Sequence, residues 1–141
     1  MSITLETRIA ITAPIEKVWA ALTKPELVKQ YFFGTDLVTT WQIGSPIYFR
    51  GEWEGTAYED KGTVLAFNPL SNLRYTYLSS WSDLEDEPEN YANITYALHE
   101  EDDTTILTVT QDKLEDEEKR AHSEQNWQSV FGAMKELLEK S

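Results

Sequence analysis

NWQSVFGAMKELL, residues 126–138, stands close to the end of the chain, and its apolar residues Trp127, Val130, Phe131, Met134, Leu137 and Leu138 recur at steps of three and four. That spacing puts them on one face of a helix. The helical period begins near residue 115, where Asp116, Glu117 and Glu118 suit a helix N-terminus, and Lys135 and Lys140 suit the opposite end. A helix over 116–139 is roughly 36 Å long at about 1.5 Å per residue. Its aromatic face looks either at solid core or at the wall of a cavity, and the function of the chain turns on which.

Upstream, between about residues 36 and 111, the period changes to two. Ile47, Phe49, Gly51 and Trp53 alternate with Tyr48, Arg50 and Glu52. The runs GTVLAF (62–67), LRYTYLS (73–79), ANITYAL (92–98) and TILTVTQ (105–111) come next. Turn signals separate them at Gly44-Ser45-Pro46, Glu59-Asp60-Lys61-Gly62, Asn68-Pro69-Leu70-Ser71-Asn72 and Glu100-Glu101-Asp102-Asp103, and WSDLEDEPEN (81–90) reads as the longest loop. Connections this short make neighbours antiparallel, because a parallel crossover needs about a dozen residues or more.

At the start, ITLETRIAI (3–11) alternates as a half-buried strand, with Ile3, Leu5, Thr7, Ile9 and Ile11 on one face. A short helix comes after it, with Pro14 at its opening and Val18, Trp19 and Leu22 as its stripe. Thr23-Lys24-Pro25-Glu26 reads as a capping box that opens a second short helix carrying Leu27, Val28 and Tyr31, and Gly34 ends it. The order predicts an α+β domain over 1–141: a sheet of roughly six to seven strands, one long helix to cover one face, and two short helices to close an end. A sheet curled around a single helix leaves a gap, which large side chains fill or which remains as a pocket.

Composition narrows the function. The chain has 141 residues, no Cys and two His far apart, so thiolate sites and disulfides are excluded, a zinc site would need mostly carboxylates, which is unusual, and no metal is expected. With 12 basic and 25 acidic residues the formal charge is −13, which repels phosphate backbones and anionic lipid surfaces. Nucleic acid is therefore not expected as a partner. No stretch reaches the ~18 apolar residues of a membrane span, so insertion is not expected either. Absence of Cys and of a basic-then-apolar leader makes cytoplasm the expected compartment. No nucleophile elbow, phosphate loop or dinucleotide fingerprint is present, so no catalytic residue and no cofactor is assigned.

The pieces APIEKVWAALTKPELVKQYFF (13–33), Gly44 to Trp53, GTVLAFNPLSNLRYTY (62–77), TTILTVTQ (104–111) and NWQSVFGAMKELLEK (126–140) together resemble the activator-of-heat-shock-chaperone-ATPase-like family. That family lies within the superfamily of START-type, birch-pollen-allergen-type and polyketide-cyclase domains (SRPBCC). The resemblance implies a helix-grip fold, a curved antiparallel sheet wrapped around the C-terminal helix with a cavity between. It implies that Trp127, Phe131 and Met134 line that cavity and that Leu137 and Leu138 pack deeper.

Alternation supplies the facing wall: Phe49 and Trp53, Leu73, Tyr75 and Tyr77, Ile94, Tyr96 and Leu98, and Leu107 and Val109 each share a face. Phe32 and Phe33 come where the second helix hands over to the sheet, at a position often aromatic in the family. The candidate ligand-binding set is Phe32, Phe33, Phe49, Trp53, Tyr75, Tyr77, Tyr96, Leu107, Trp127, Phe131 and Met134. The same rings also suit a plain core. Gln111 either touches a ligand or marks a strand end. His99, His122, Arg50 and Arg74 read as surface residues, and Asp60, Asp83 and Glu85 as loop residues near a rim.

Three functions stay open. The first is binding of a small hydrophobic or amphipathic molecule, which fails if side chains fill the interior with no void above water size. The second is a co-chaperone-like activator that docks on a heat-shock chaperone ATPase. The third is a cyclase- or hydrolase-like enzyme, which needs an acid or base pointing inward. The chain is expected as a monomer or a weak homodimer, paired through a strand edge or the outer sheet face.

Overall fold

The computed structural model describes residues 3–32, 34–79 and 85–140, without the side chain of Trp53. Its elements come in the predicted order: β1 (Ile3–Ile11), α1 (Ile15–Thr23), α2 (Pro25–Tyr31), β2 (Asp36–Thr39), β3 (Pro46–Trp53), β4 (Thr56–Asn68), β5 (Asn72–Tyr77), β6 (Ala92–Glu101), β7 (Thr104–Leu114) and α3 (Glu117–Glu139). A short 3-10 turn at Pro88–Asn90 lies between β5 and β6. The strands form one curved seven-stranded antiparallel sheet in the order β1-β7-β6-β5-β4-β3-β2. The architecture is the helix-grip fold that the resemblance implied.

The helix α3 starts where Asp116 accepts the Lys119 backbone N–H at 2.9 Å, a side-chain cap for an otherwise orphan donor. Its buried stripe is Val130, Phe131, Met134 and Leu138, with Phe131 and Met134 fully enclosed. Opposite lie Leu73, Tyr75, Ile94, Tyr96, Leu107 and Val109, all buried, as their alternation predicts. Polar side chains tie α3 to the first strand. Gln128 donates to Thr7 Oγ1 at 2.5 Å, and Lys135 donates to the Ala10 carbonyl at 3.0 Å.

The short helices close one end of the sheet. Tyr31 donates its hydroxyl to the Ala21 carbonyl at 2.7 Å, and the Trp41 indole N–H donates to the Thr23 carbonyl at 2.9 Å. The predicted capping box does not form. Thr23 ends α1 with its hydroxyl donated back to the Trp19 carbonyl at 2.9 Å. Pro25 pushes the residue before it out of the helical region, so Lys24, at ψ 120°, is the boundary and caps without a side-chain bond.

The turn expected at residues 59–62 is instead strand. The β3–β4 hairpin turns at Glu54-Gly55, both with positive φ (50° and 81°), the twist that two-residue hairpins favour. β4 then runs unbroken for 13 residues, pairing first with β3 and then with β5. Gly62 permits the second pairing. A Cβ there would stand 1.6 Å from the Thr76 carbonyl oxygen. Among the described residues no helix is long and apolar enough to cross a membrane.

Candidate functional site

Five elements each aim one ring at the space between α3 and the sheet: Phe32 after α2, Phe49 on β3, Tyr75 on β5, Tyr96 on β6 and Trp127 on α3. Alternation along the strands and the three–four step of the helix make them converge. They close a circuit. Ring centroids are 6.2 Å apart for Phe32–Phe49, 5.5 Å for Phe49–Tyr75, 6.0 Å for Tyr75–Tyr96, 5.8 Å for Tyr96–Trp127 and 6.4 Å for Trp127–Phe32. Most of these contacts are tilted or edge-on, the geometry that ring quadrupoles prefer. Tyr77 adjoins Phe49 at 5.7 Å, and Phe131 adjoins Trp127 at 5.7 Å. Leu107 and Met134 lie fully buried in the same core. Of the other two candidates, Phe33 and the Trp53 side chain lie outside the described residues, as does Asp83.

Among the described residues the rings border a void of about 10 Å³, lined by Phe32, Phe49, Tyr75 and Tyr96 together with Leu22, Val28, Tyr31, Leu37 and Trp41. That is room for one water at most. A larger hollow of about 470 Å³ opens over the β3–β4 hairpin at Arg50, Gly51, Ala57, Tyr58 and Glu59. It is a depression in the protein surface, where Arg50 is paired with Glu59 at 2.6 Å, and it is separate from the aromatic circuit.

Hydroxyls and one carboxylate interrupt this apolar interior. Tyr75 and Tyr96 share a single hydrogen bond at 3.3 Å, and either oxygen can be the donor. Tyr77 donates to the Asp60 carboxylate. Thr35 and Tyr58 share a bond at 2.6 Å. Burial raises the pKa of Tyr31, Tyr75, Tyr77 and Tyr96, the Asp60 charge adding to the effect at Tyr77. All four therefore stay protonated near neutrality and act as neutral donors or acceptors.

Gln111 does not mark the strand end, since β7 runs on to Leu114. It accepts the Trp127 indole N–H at 2.9 Å and fixes that ring. Asp60, expected in a loop near a rim, is instead on β4, 7% exposed, on the concave face. The signal was available in the alternation Tyr58, Asp60, Gly62, Val64, which only becomes visible once Glu54-Gly55 is recognised as the turn. His99 and His122 are exposed, as are Arg50 and Arg74. Among the described residues no group of three His, Cys, Asp or Glu is placed to hold a metal.

The sequence profile described as "Activator of Hsp90 ATPase homolog 1-like protein" matches residues 12–139. The solution structure of ChR145 from Cytophaga hutchinsonii is 43% identical, with a TM-score of 0.85, over 98% of this chain and 94% of that one. MLL2253 from Mesorhizobium loti superposes with a TM-score of 0.79 at 22% identity, over 99% and 98% of the two chains. The Aha1 dimer from Colwellia psychrerythraea superposes with a TM-score of 0.75 at 19% identity, over 96% of each. These last two are alike in fold. No curated protein matches the chain.

Proposed function

Since the chain belongs to the Activator of Hsp90 ATPase homolog 1-like family, a family on a fold that encloses ligands between helix and sheet, we propose that it binds a small amphipathic molecule among Phe32, Phe49, Tyr75, Tyr96 and Trp127. One observation carries this reading. Two buried phenols hold two hydrogens, and their one mutual bond uses one of them. The other O–H has no acceptor among the described residues, and it borders the void. A buried donor left without an acceptor costs about 1–3 kcal/mol. A ligand oxygen placed there would accept it.

The void among the described residues is too small for such a molecule, so binding there has to select an opened form. Phe32 and Trp127 are the half-buried members of the circuit and form its outer side. Swinging a half-buried ring into water costs on the order of 1–2 kcal/mol. The open form is then populated at roughly 3–15%, and the apparent affinity is lowered by that fraction.

The test is a heteronuclear NMR titration of the protein with small aromatic alcohols. The expected result is saturable shifts at Tyr75, Tyr96, Phe49 and Trp127, with the Phe32 segment broadened by exchange. Saturating ligand that leaves all of these unmoved would refute the reading. The family description favours a second reading, docking on a heat-shock chaperone. It gains if the chain stimulates the chaperone's ATPase while its interior resonances stay silent to every small molecule.

A further inference from the structure

Among the described residues, the side chains bordering the void of about 10 Å³ are apolar apart from those of Tyr31, Trp41, Tyr75 and Tyr96. Two of these donate to backbone. Tyr31 gives its hydroxyl to the Ala21 carbonyl at 2.7 Å, and the Trp41 indole N–H goes to the Thr23 carbonyl at 2.9 Å. The polar character of the void therefore rests with the Tyr75 and Tyr96 hydroxyls. β5 and β6 pair with Tyr75 opposite Ile94 and Leu73 opposite Tyr96, so the two rings are diagonal neighbours on one face of the sheet. Their oxygens are 3.3 Å apart, about half an ångström beyond the usual length of an O–H···O bond. That separation is long for a mutual bond, yet short enough for one oxygen about 2.7–2.8 Å from each to accept from both. Burial keeps both phenols protonated near neutrality. Two neighbouring strands hold them in place before any ligand arrives, as preorganised donors require.

We propose that Tyr75 and Tyr96 form a twin-donor cradle for a single uncharged carbonyl oxygen, so that the interior takes ketones and related neutral carbonyl compounds in preference to carboxylates of the same shape. The inference rests on the interior binding site proposed above and names its ligand class. When such an oxygen enters, the long mutual bond gives way to two bonds of ordinary length, and both phenol hydrogens are used. A carbonyl oxygen has two lone pairs to receive them and brings no hydrogen of its own. Water or an alcohol can accept the same two bonds, but each brings an O–H for which the lining side chains offer only the phenol oxygens. A carboxylate brings a charge, and no Lys, Arg or His among the described residues lines the void to offset it. A hydrocarbon leaves the spare phenol O–H without an acceptor. The void has room for the oxygen alone; the body of the ligand takes the space that Phe32 or Trp127 vacates in the opened form.

The experiment uses three probes of similar shape, acetophenone, benzoate and ethylbenzene. Each is titrated by NMR at neutral pH into the wild type, Tyr75→Phe, Tyr96→Phe and the double variant. In the wild type acetophenone gives saturable interior shifts, and benzoate binds about tenfold more weakly or worse. Each single substitution removes one of two donors and weakens acetophenone about threefold, the strength of an ordinary bond less that of the weak mutual bond no longer broken. The double variant weakens it about tenfold or more, while ethylbenzene binds that variant as tightly as the wild type or tighter. If the ligand used one donor only, either hydroxyl alone would serve as well as the pair, and neither single substitution would weaken acetophenone. That result, or benzoate binding as tightly as acetophenone, or a loss in the double variant shared equally by ethylbenzene, overturns the cradle and leaves the binding site standing. The carbonyl stretch of acetophenone bound to the wild type is a readout that needs no variant. Two accepted hydrogen bonds lower it below its value in hydrocarbon solvent, and a stretch equal to that value overturns the cradle. No interior shift with any of the three probes overturns the binding reading together with it.

Discussion

Replacing Tyr75 and Tyr96 together by phenylalanine should leave the protein at least as stable as the wild type, although two buried hydroxyls are lost. The two rings are 2% and 6% exposed, and their oxygens are 3.3 Å apart. That is long for an O–H···O bond, whose usual distance is about 2.7–2.8 Å, so the bond stands at the weak end, about 0.5 kcal/mol. Against it stands the second hydrogen, which finds no acceptor among the described residues, at a cost of about 1–3 kcal/mol. Removing both hydroxyls loses the first quantity and recovers the second, a net gain of roughly 0.5–2.5 kcal/mol. Either single substitution breaks the bond and still leaves one hydroxyl alone, so Tyr75→Phe and Tyr96→Phe should each be destabilised by about 0.5–1 kcal/mol. The double variant therefore departs from additivity by more than about 1 kcal/mol, which a double-mutant cycle resolves. Urea unfolding followed by tryptophan fluorescence supplies the four stabilities, with equal slopes as the check that the unfolded states match. A double variant less stable than both singles, by the sum of their losses, would show the hydroxyls to be ordinary structural bonds and remove the main support for a ligand site. If the double variant is more stable, and its affinity for phenylethanol falls about tenfold, the hydroxyls lower stability where they raise binding.

Phe32→Ala should destabilise by about 1–3 kcal/mol, below the ~3–5 of a fully buried ring, and should tighten phenylethanol binding up to about tenfold by opening the interior in advance; unfolding and titration on the same variant check both. Gly62→Ala should cost more than about 3 kcal/mol, because the new Cβ meets the Thr76 carbonyl at 1.6 Å. Gly132→Ala, on α3 with nothing within 4 Å of its Cβ, should instead stabilise by about 0.5–1 kcal/mol, and thermal melts of the two variants give opposite signs. Tyr31, Tyr75, Tyr77 and Tyr96 have pKa values raised by burial. In the unfolded chain these phenols titrate near pH 10. Their contribution is therefore complete below about pH 10 and is lost as pH climbs from there toward the raised folded values. Absorbance at the tyrosinate band should show these four ionising together with unfolding, not before it.

The concave wall was legible because strand alternation reports which side a residue faces. Leu73, Tyr75, Ile94, Tyr96, Leu107 and Val109 are all buried where the period put them. The face of α3 was legible for the same reason, and Val130, Phe131, Met134 and Leu138 are its buried stripe. The β3–β4 turn was not, because its residues are Glu54 and Gly55. Glu is a weak signal for positive φ, whereas Glu59-Asp60-Lys61-Gly62 has the composition of a turn without being one. That single misplacement hid the first half of β4 and, with it, the inward carboxylate. Nor does periodicity report how tightly inward rings tile. Phe32, Phe49, Tyr75, Tyr96 and Trp127 are spread over 96 positions of sequence, and their closure into a circuit depends on the curvature of the sheet.

The three functional readings make different demands on the same interior. A domain that only docks on a chaperone uses its outer surface, and its interior needs nothing that phenylalanine at positions 75, 77 and 96 would not supply. Here all three positions carry hydroxyls. One of the three donates to a buried carboxylate, and buried polar groups of this kind lower stability unless every member is satisfied. An enzyme would use Asp60 directly, so Asp60→Asn would abolish turnover while leaving affinity for a neutral ligand intact. A binding domain would hold its ligand through the Tyr75 and Tyr96 hydroxyls, and the same substitution would leave that ligand bound.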